Sequence, residues 1–223
     1  MSTGTEFLIV AIDGPAASGK SSVARNLAQR LDFAYINSGA LYRAIAWLAA
    51  MHHIPPDDIA AIMSRLDQTS FEFGIRNKEL FILMDGTNPG THLREHIVNR
   101  TVSIVASAAE IRAFLLIQLR AFVRYDNLVM EGRDIGSSVF PYTPFKFYID
   151  ASPHIRAQRR EAQGFQDDLR YRDLVDSSRQ SSPLALVEDA YRIDSSTLSI
   201  DAVVDRIFEG LKAQNFPLAY LQR

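Results

Sequence analysis

Along this chain, short runs rich in apolar residues alternate with stretches in which apolar residues recur every three or four positions. The runs are Phe7–Ile12, Phe33–Ile36, Asn127–Met130, Phe145–Asp150 and Ala190–Asp194, each of strand length. Helical spacing fills the gaps: Val23–Leu31, Leu41–Met51, a short helix capped at Asp57-Asp58 and running to about Leu66, then 94–108, 110–124, 153–163, 168–179 and 199–212. Apolar strands alternating with helices predict an α/β fold, a five-stranded parallel sheet with helices on both faces.

One block breaks the alternation. Phe71–Ile75 and Leu80–Met84 flank Arg76-Asn77-Lys78-Glu79, which reads as an antiparallel hairpin set among helices. The expected organisation is therefore a single domain over 1–223. Its core is 1–37 and 125–223, with residues 38–124 inserted and the hairpin inside the insert.

The polar tails of the strands carry the chemistry. After the first run comes Gly14-Pro15-Ala16-Ala17-Ser18-Gly19-Lys20-Ser21-Ser22, which fits G-x-x-x-x-G-K-[ST] between a strand and a helix. Such a turn aims backbone N–H groups and a helix N-terminus at one spot, a site for a nucleotide's phosphates. Lys20 is placed to reach the β- and γ-phosphates, and the Ser21 hydroxyl to take a position on Mg²⁺. The other tails are Asn37-Ser38-Gly39, Glu131-Gly132-Arg133-Asp134 and Asp150-Ala151-Ser152. In an open parallel sheet these all meet outside the carboxyl ends of the strands.

Composition sharpens this. Net charge is −2, which argues against broad nucleic-acid or anionic-membrane binding. Lysine occurs only at 20, 78, 146 and 212, so 20 of the 24 basic residues are arginine, the side chain that grips phosphate in a fork. With no cysteine, disulfides, thiol catalysis and Cys-ligated zinc are excluded. Phe7–Ile12 is too short for a signal peptide or a span, so a soluble, cytoplasmic protein is expected. Adjacent His52 and His53 point to different faces and suggest no metal site.

In order along the chain, Asp13–Ser22, Ser38-Gly39-Ala40-Leu41-Tyr42-Arg43, Gly132-Arg133-Asp134-Ile135-Gly136 with Val139-Phe140-Pro141, Arg172-Asp173-Leu174-Val175-Asp176-Ser177-Ser178-Arg179 and Ile193–Ile200 resemble bacterial cytidylate kinases. The resemblance spans about residues 6–212. It implies the P-loop nucleoside monophosphate kinase fold and transfer of the ATP γ-phosphoryl group to CMP or dCMP, with Mg²⁺, in pyrimidine metabolism. It also implies a monomer whose partners are those nucleotides.

Carried over residue by residue, Arg43, Arg133 and Arg179, with Ser38, match positions that hold the acceptor phosphate. Ser103, Arg112 and Glu131 fall where the family contacts cytosine, and Arg172 and Asp176 match the pair that holds the ribose hydroxyls. Arg156, Arg159 and Arg160 lie in the expected mobile lid, 153–172. Lys20, Arg133, Arg156 and Arg160 are the catalytic expectations, with Arg159 on ATP. Asp134 has two roles open, on Mg²⁺ through water or orienting Arg133. Two departures stand out: Asn37 and Glu131 replace the family's usual Asp. Asn37 loses a charge, and Glu131 reaches the cytosine amine from one methylene further out.

Three other readings are weaker. A GTPase would show Asn-Lys-x-Asp after a strand, whereas Asn77-Lys78-Glu79-Leu80 lies in a hairpin turn. Other small-molecule kinases of this core are disfavoured by the hairpin and the Arg-Asp-x-x-Asp-x-x-Arg helix. An RNA-binding role lacks a basic run.

Overall fold

A computed structural model describes residues 7–165 and 168–221. The chain runs β1 (Ile9–Asp13), α1 (Lys20–Leu31), β2 (Ala34–Asn37), α2 (Ser38–Met51), α3 (Ile59–Asp67), β3 (Phe71–Arg76) and β4 (Glu79–Met84). It continues with α4 (His96–Val105), α5 (Ala109–Ala121), β5 (Leu128–Gly132), β6 (Phe145–Asp150), α6 (Pro153–Ala162), α7 (Leu169–Ser177), β7 (Tyr191–Asp194), α8 (Ile200–Ala213) and a last turn, α9 (Leu218–Leu221).

The five expected parallel strands lie in the order β2-β5-β1-β6-β7. The sheet does not stop there. The hairpin β3-β4 joins its edge, giving among the described residues seven strands in the order β3-β4-β2-β5-β1-β6-β7, a mixed sheet in which β3 and β4 pair antiparallel and the other neighbours parallel. The cause lies in the hairpin's turn. Asn77 and Lys78 both take left-handed φ values, 52° and 62°, the tight geometry that suits a two-residue hairpin. That turn presents the Lys78 carbonyl to the Tyr35 N–H at 2.8 Å, and the Lys78 ammonium reaches the Asp32 carbonyl at 3.0 Å and Asp126 Oδ2 at 2.9 Å. The hairpin is thus fastened to the edge of the core sheet.

Two apolar layers cover the sheet. One packs Val23, Leu27 and Leu31 of α1 with Val203, Ile207 and Leu211 of α8 against Val10, Ile12, Val129 and Phe147. The other packs α2, α3, α4 and α5 through Leu41, Ile45, Ile62, Val98, Ile111 and Leu115 against Ala11, Ile36, Leu128 and Met130. Among the described residues no single helix is long and apolar enough to cross a membrane. The strands' carboxyl ends, Asp13, Asn37, Gly132 and Asp150, all face one edge, where the site is built.

Candidate active site

The phosphate loop is set by backbone. Gly14 sits at φ 151°, and a Cβ there would lie 2.0 Å from the Ile149 carbonyl of β6, so only glycine lets the loop leave β1 against its neighbour. Ala17 at φ 60° and Gly19 at φ 88° complete the curl, and Gly19 precedes α1 without a side-chain cap, leaving the first N–H groups of α1 to a ligand. Ser21 and Ser22 are exposed at its mouth. Lys20, nearly buried, donates its Nζ to the Pro15 carbonyl at 3.0 Å across the loop.

Asp13, the last residue of β1, stands just before the loop, and its position in the sequence alone assigns it no role. Its two carboxylate oxygens accept from the Ile135 N–H at 2.8 Å and the Gly136 N–H at 2.7 Å. This ties the phosphate loop to the segment that carries Arg133 and Asp134. Burial pushes Asp13 up to about 7 despite those two bonds and the nearby Lys20.

Glu131 lies on the phosphate-loop side of the site. Its carboxylate accepts from Ser21 Oγ at 2.7 Å and Tyr35 OH at 3.2 Å, and its other oxygen stands 4.0 Å from Lys20 Nζ. The reason is strand register: Glu131 pairs with Ile12 of β1 and Asn37 of β2, one step short of the strand end, so its side chain turns toward the phosphate loop. Asp134, three residues on, turns into the insert instead. It makes an ion pair with Arg112 of α5, and both side chains are buried. Arg112 also donates to the Ala106 carbonyl at 3.1 Å and lies over the Tyr42 ring, 5.5 Å from its centre. Ser103 is on the buried face of α4. The ion-pair partner of Asp134 in the structure is Arg112.

The arginines assigned to the acceptor divide into two groups. Arg133 and Arg179 share the Asp176 carboxylate: Arg133 Nε donates to Oδ2 at 2.8 Å and Arg179 Nη2 to Oδ1. Burial pushes Asp176 up, but Arg133, Arg179 and Arg172 outweigh it and hold the carboxyl below its ordinary range. Arg172 and Asp176 are the buried positions of α7, whereas Arg179 lies beyond the helix end at Ser177 and reaches back to the Asp176 carboxylate. Arg43 lies apart from that pairing, on α2, where it donates to Asn99 Oδ1 at 2.7 Å and the Leu93 carbonyl at 3.1 Å. Ser38 donates to the Glu131 carbonyl at 2.8 Å, joining α2 to β5. Asn37 caps α2 by accepting from the Ala40 N–H at 3.2 Å, a role in which its missing charge changes little.

The three arginines of α6 face three ways. Arg156 pairs with Asp173 of α7 at 2.6 Å and donates to the carbonyls of Ala151 and Ala16. Arg159 donates to the Ser18 carbonyl at 3.3 Å and to Ser195 Oγ and O at 3.1 and 2.7 Å. Arg160 stacks over Phe165 at 3.9 Å and donates to Asn99 Oδ1 at 3.2 Å. The expected lid, 153–172, includes residues 166 and 167, which lie outside the described residues. Asn99, Asp173 and Ser195 were missed as site residues; nothing in their spacing marks them, because each works through a contact distant in sequence.

Charge is in surplus. Around Glu131, Asp134 and Asp176 stand Lys20, Arg112, Arg133, Arg172 and Arg179. Burial, reinforced by Arg133 and Arg172, pushes Lys20 down to about 7. Arg112 Nε and Arg179 Nε are buried donors with no hydrogen-bond partner among the described residues. Crowded cations and unspent donors are a poor arrangement for an isolated fold and a good one for polyanions.

A strand-end glycine loop opening a helix, with arginines converging on it, defines a P-loop phosphotransferase. Within that class the comparisons are specific. The family profile for cytidylate kinase matches residues 10–213. Cytidylate kinase from Geobacillus sp. (strain WCH70) is 39% identical over 90% of this chain and 94% of its own length. Cytidylate kinase from Halalkalibacterium halodurans is 37% identical over 91% and 96%. Among solved structures, a gluconokinase from Sinorhizobium meliloti 1021 covers 97% of each chain at TM-score 0.48 and 15% identity. The chain belongs to the cytidylate kinase family and is a nucleoside monophosphate kinase.

Proposed function

We propose that this chain moves the γ-phosphoryl group of ATP onto CMP or dCMP, with the phosphate loop as donor site and the α2–α4–α5–α7 arginine pocket as acceptor site. The observation that carries this reading is the meeting of a phosphate loop with Arg133, Arg172 and Arg179 around one buried carboxylate. Phosphoryl transfer asks a protein for positioning and charge neutralisation rather than covalent chemistry. Lys20, free of its bond to the Pro15 carbonyl, turns to the donor phosphates. Arg133 and Arg179, pre-ordered by Asp176, take the acceptor phosphate, and Arg43 and Ser38 close its far side. Arg172 and Asp176 meet the sugar. Arg156 and Arg159 brace the loop through its carbonyls, and the 153–172 segment closes over the donor to keep water out.

Ser21 Oγ and Glu131, oxygens 2.7 Å apart beside the phosphate loop, fit a Mg²⁺ ion, which prefers oxygen donors and keeps waters and substrate phosphates as further ligands. Bound there, the ion would neutralise phosphate charge. Base reading passes from Glu131 to Asp134, with Arg112 and Ser103: a carboxylate accepts from an exocyclic amine and a guanidinium donates to a ring carbonyl. That combination matches cytosine and mismatches uracil, which offers no amine.

The test is an acceptor panel with ATP in excess. CMP and dCMP should be turned over with kcat/KM at least about 10-fold above UMP and AMP, the scale of one mismatched polar pair. Equal values across the four would remove the proposed base reading.

A further inference from the structure

Asn99 joins the two halves of the reaction. It is a nearly buried side chain of α4, in the insert, 4% exposed. Its Oδ1 accepts from Arg43 Nη1 at 2.7 Å and from Arg160 Nη2 at 3.2 Å, while its Nδ2 donates to the Arg94 carbonyl at 2.8 Å. Arg43 belongs to the acceptor side and Arg160 to α6, which also touches the donor loop through Arg159 and Arg156. One neutral oxygen therefore holds a guanidinium from each side. The third bond fixes the amide's orientation, since the Arg94 carbonyl can only accept and so must face Nδ2.

A neutral acceptor is suited to this task. A carboxylate there would hold both guanidiniums more tightly and resist their transfer to substrate phosphate. An amide oxygen aligns the two cations yet gives them up to an anion, because a guanidinium that moves from an amide to a phosphate gains an opposite charge and a two-pronged fork of acceptors.

We infer that Asn99 is a positioning residue that couples acceptor binding to the donor-side arginines. An acceptor phosphate that draws Arg43 changes the partner Arg160 sees, so the two nucleotides should report on each other's occupancy through this amide. The inference rests on the acceptor and donor assignments above.

Binding of a non-hydrolysable ATP analogue is measured calorimetrically with and without CMP, in the wild type, Asn99→Leu, Arg43→Ala and Arg160→Ala. Leucine keeps the volume and removes the acceptor oxygen; Asn99→Ala serves if the leucine variant does not fold. In the wild type CMP should shift the analogue's affinity by about 5-fold or more. In Asn99→Leu that factor should fall to about 1 while CMP alone still binds, and Asn99→Leu in the Arg160→Ala background should change the factor no further. A merely structural Asn99 would lower both affinities and leave the ratio intact, and that outcome, or additive effects with Arg160→Ala, overturns the inference. Failure of Arg43→Ala to weaken CMP would instead count against the site assignment itself.

Discussion

The donor and acceptor sides are made of different material. The phosphate loop is a backbone device: Gly14 pressed against the Ile149 carbonyl, positive φ at Ala17 and Gly19, and the bare N-terminus of α1. The acceptor pocket is a side-chain device, in which Arg112–Asp134, Arg133–Asp176–Arg179 and Arg43–Asn99 link residues of α2, α4, α5 and α7 with the end of β5. A backbone device tolerates almost no change of shape and little depends on its surface charge. A side-chain device tolerates changes of shape but fails when one partner of a buried charge is removed.

Substitutions can separate the two. The largest effect is expected from Lys20→Ala, at least about 10³-fold in kcat, measured in a coupled ADP-release assay, because the lysine's charge acts on the transferring group. Near-normal turnover would show that Lys20 serves only its bond to Pro15. Gly14→Ala comes next: the analogue should no longer bind, while CMP affinity measured without the analogue changes by less than about 3-fold, since the added Cβ meets the Ile149 carbonyl of β6 and none of the acceptor arginines. Comparable loss of both ligands would mean that the two devices are not separate.

Asp176→Ala should act on the other side. Removing it leaves Arg133 and Arg179 buried without their counter-ion, a loss of about 3–5 kcal/mol in urea unfolding, together with a raised KM for CMP. An unchanged midpoint would remove the claim that this carboxylate orders the pocket.

The smallest effect is in pH. Lys20 is held near 7 against an ordinary 10.5, so the folded state carries its desolvation penalty fully below about pH 7 and sheds it as pH rises toward 10.5. Donor phosphate favours the charged ammonium, so binding above pH 7 should take up a proton. Affinity for the ATP analogue should then be flat below about pH 7 and fall by up to about tenfold per unit above it. Asp13, also near 7, ionises over the same range and, as an anion beside Lys20, makes the fall shallower. Proton uptake is read from the dependence of binding heat on buffer at pH 8; release of a proton would contradict the assignment.

This same contrast decides what the sequence disclosed. Gly14–Ser22 is legible because a local backbone device needs particular residues at fixed spacing. The four inner parallel strands β1, β2, β5 and β6 are legible for a similar reason, since buried strands read as mostly apolar runs, whereas the edge strand β7 buries only Ile193. The hairpin's strands could be read, but not its attachment: that depends on the Lys78 carbonyl reaching Tyr35, 43 residues away. Resemblance points to Arg112 and Asp134 but not to their partnership, and it gives no sign that β-strand register brings Glu131 to Ser21. Asn99 carries no local sign at all, being defined by two arginines 56 and 61 residues away.

The division of labour between the two carboxylates of Glu131-Gly132-Arg133-Asp134 is the point most directly open to measurement. The ratio of kcat/KM for CMP over UMP is determined in the wild type, Glu131→Gln and Asp134→Asn. The account predicts that Asp134→Asn reduces the ratio by about 10-fold or more, while Glu131→Gln lowers turnover of both acceptors, raises the Mg²⁺ concentration needed for half-maximal rate and leaves the ratio where it was. A ratio that collapses in Glu131→Gln and survives in Asp134→Asn would contradict it.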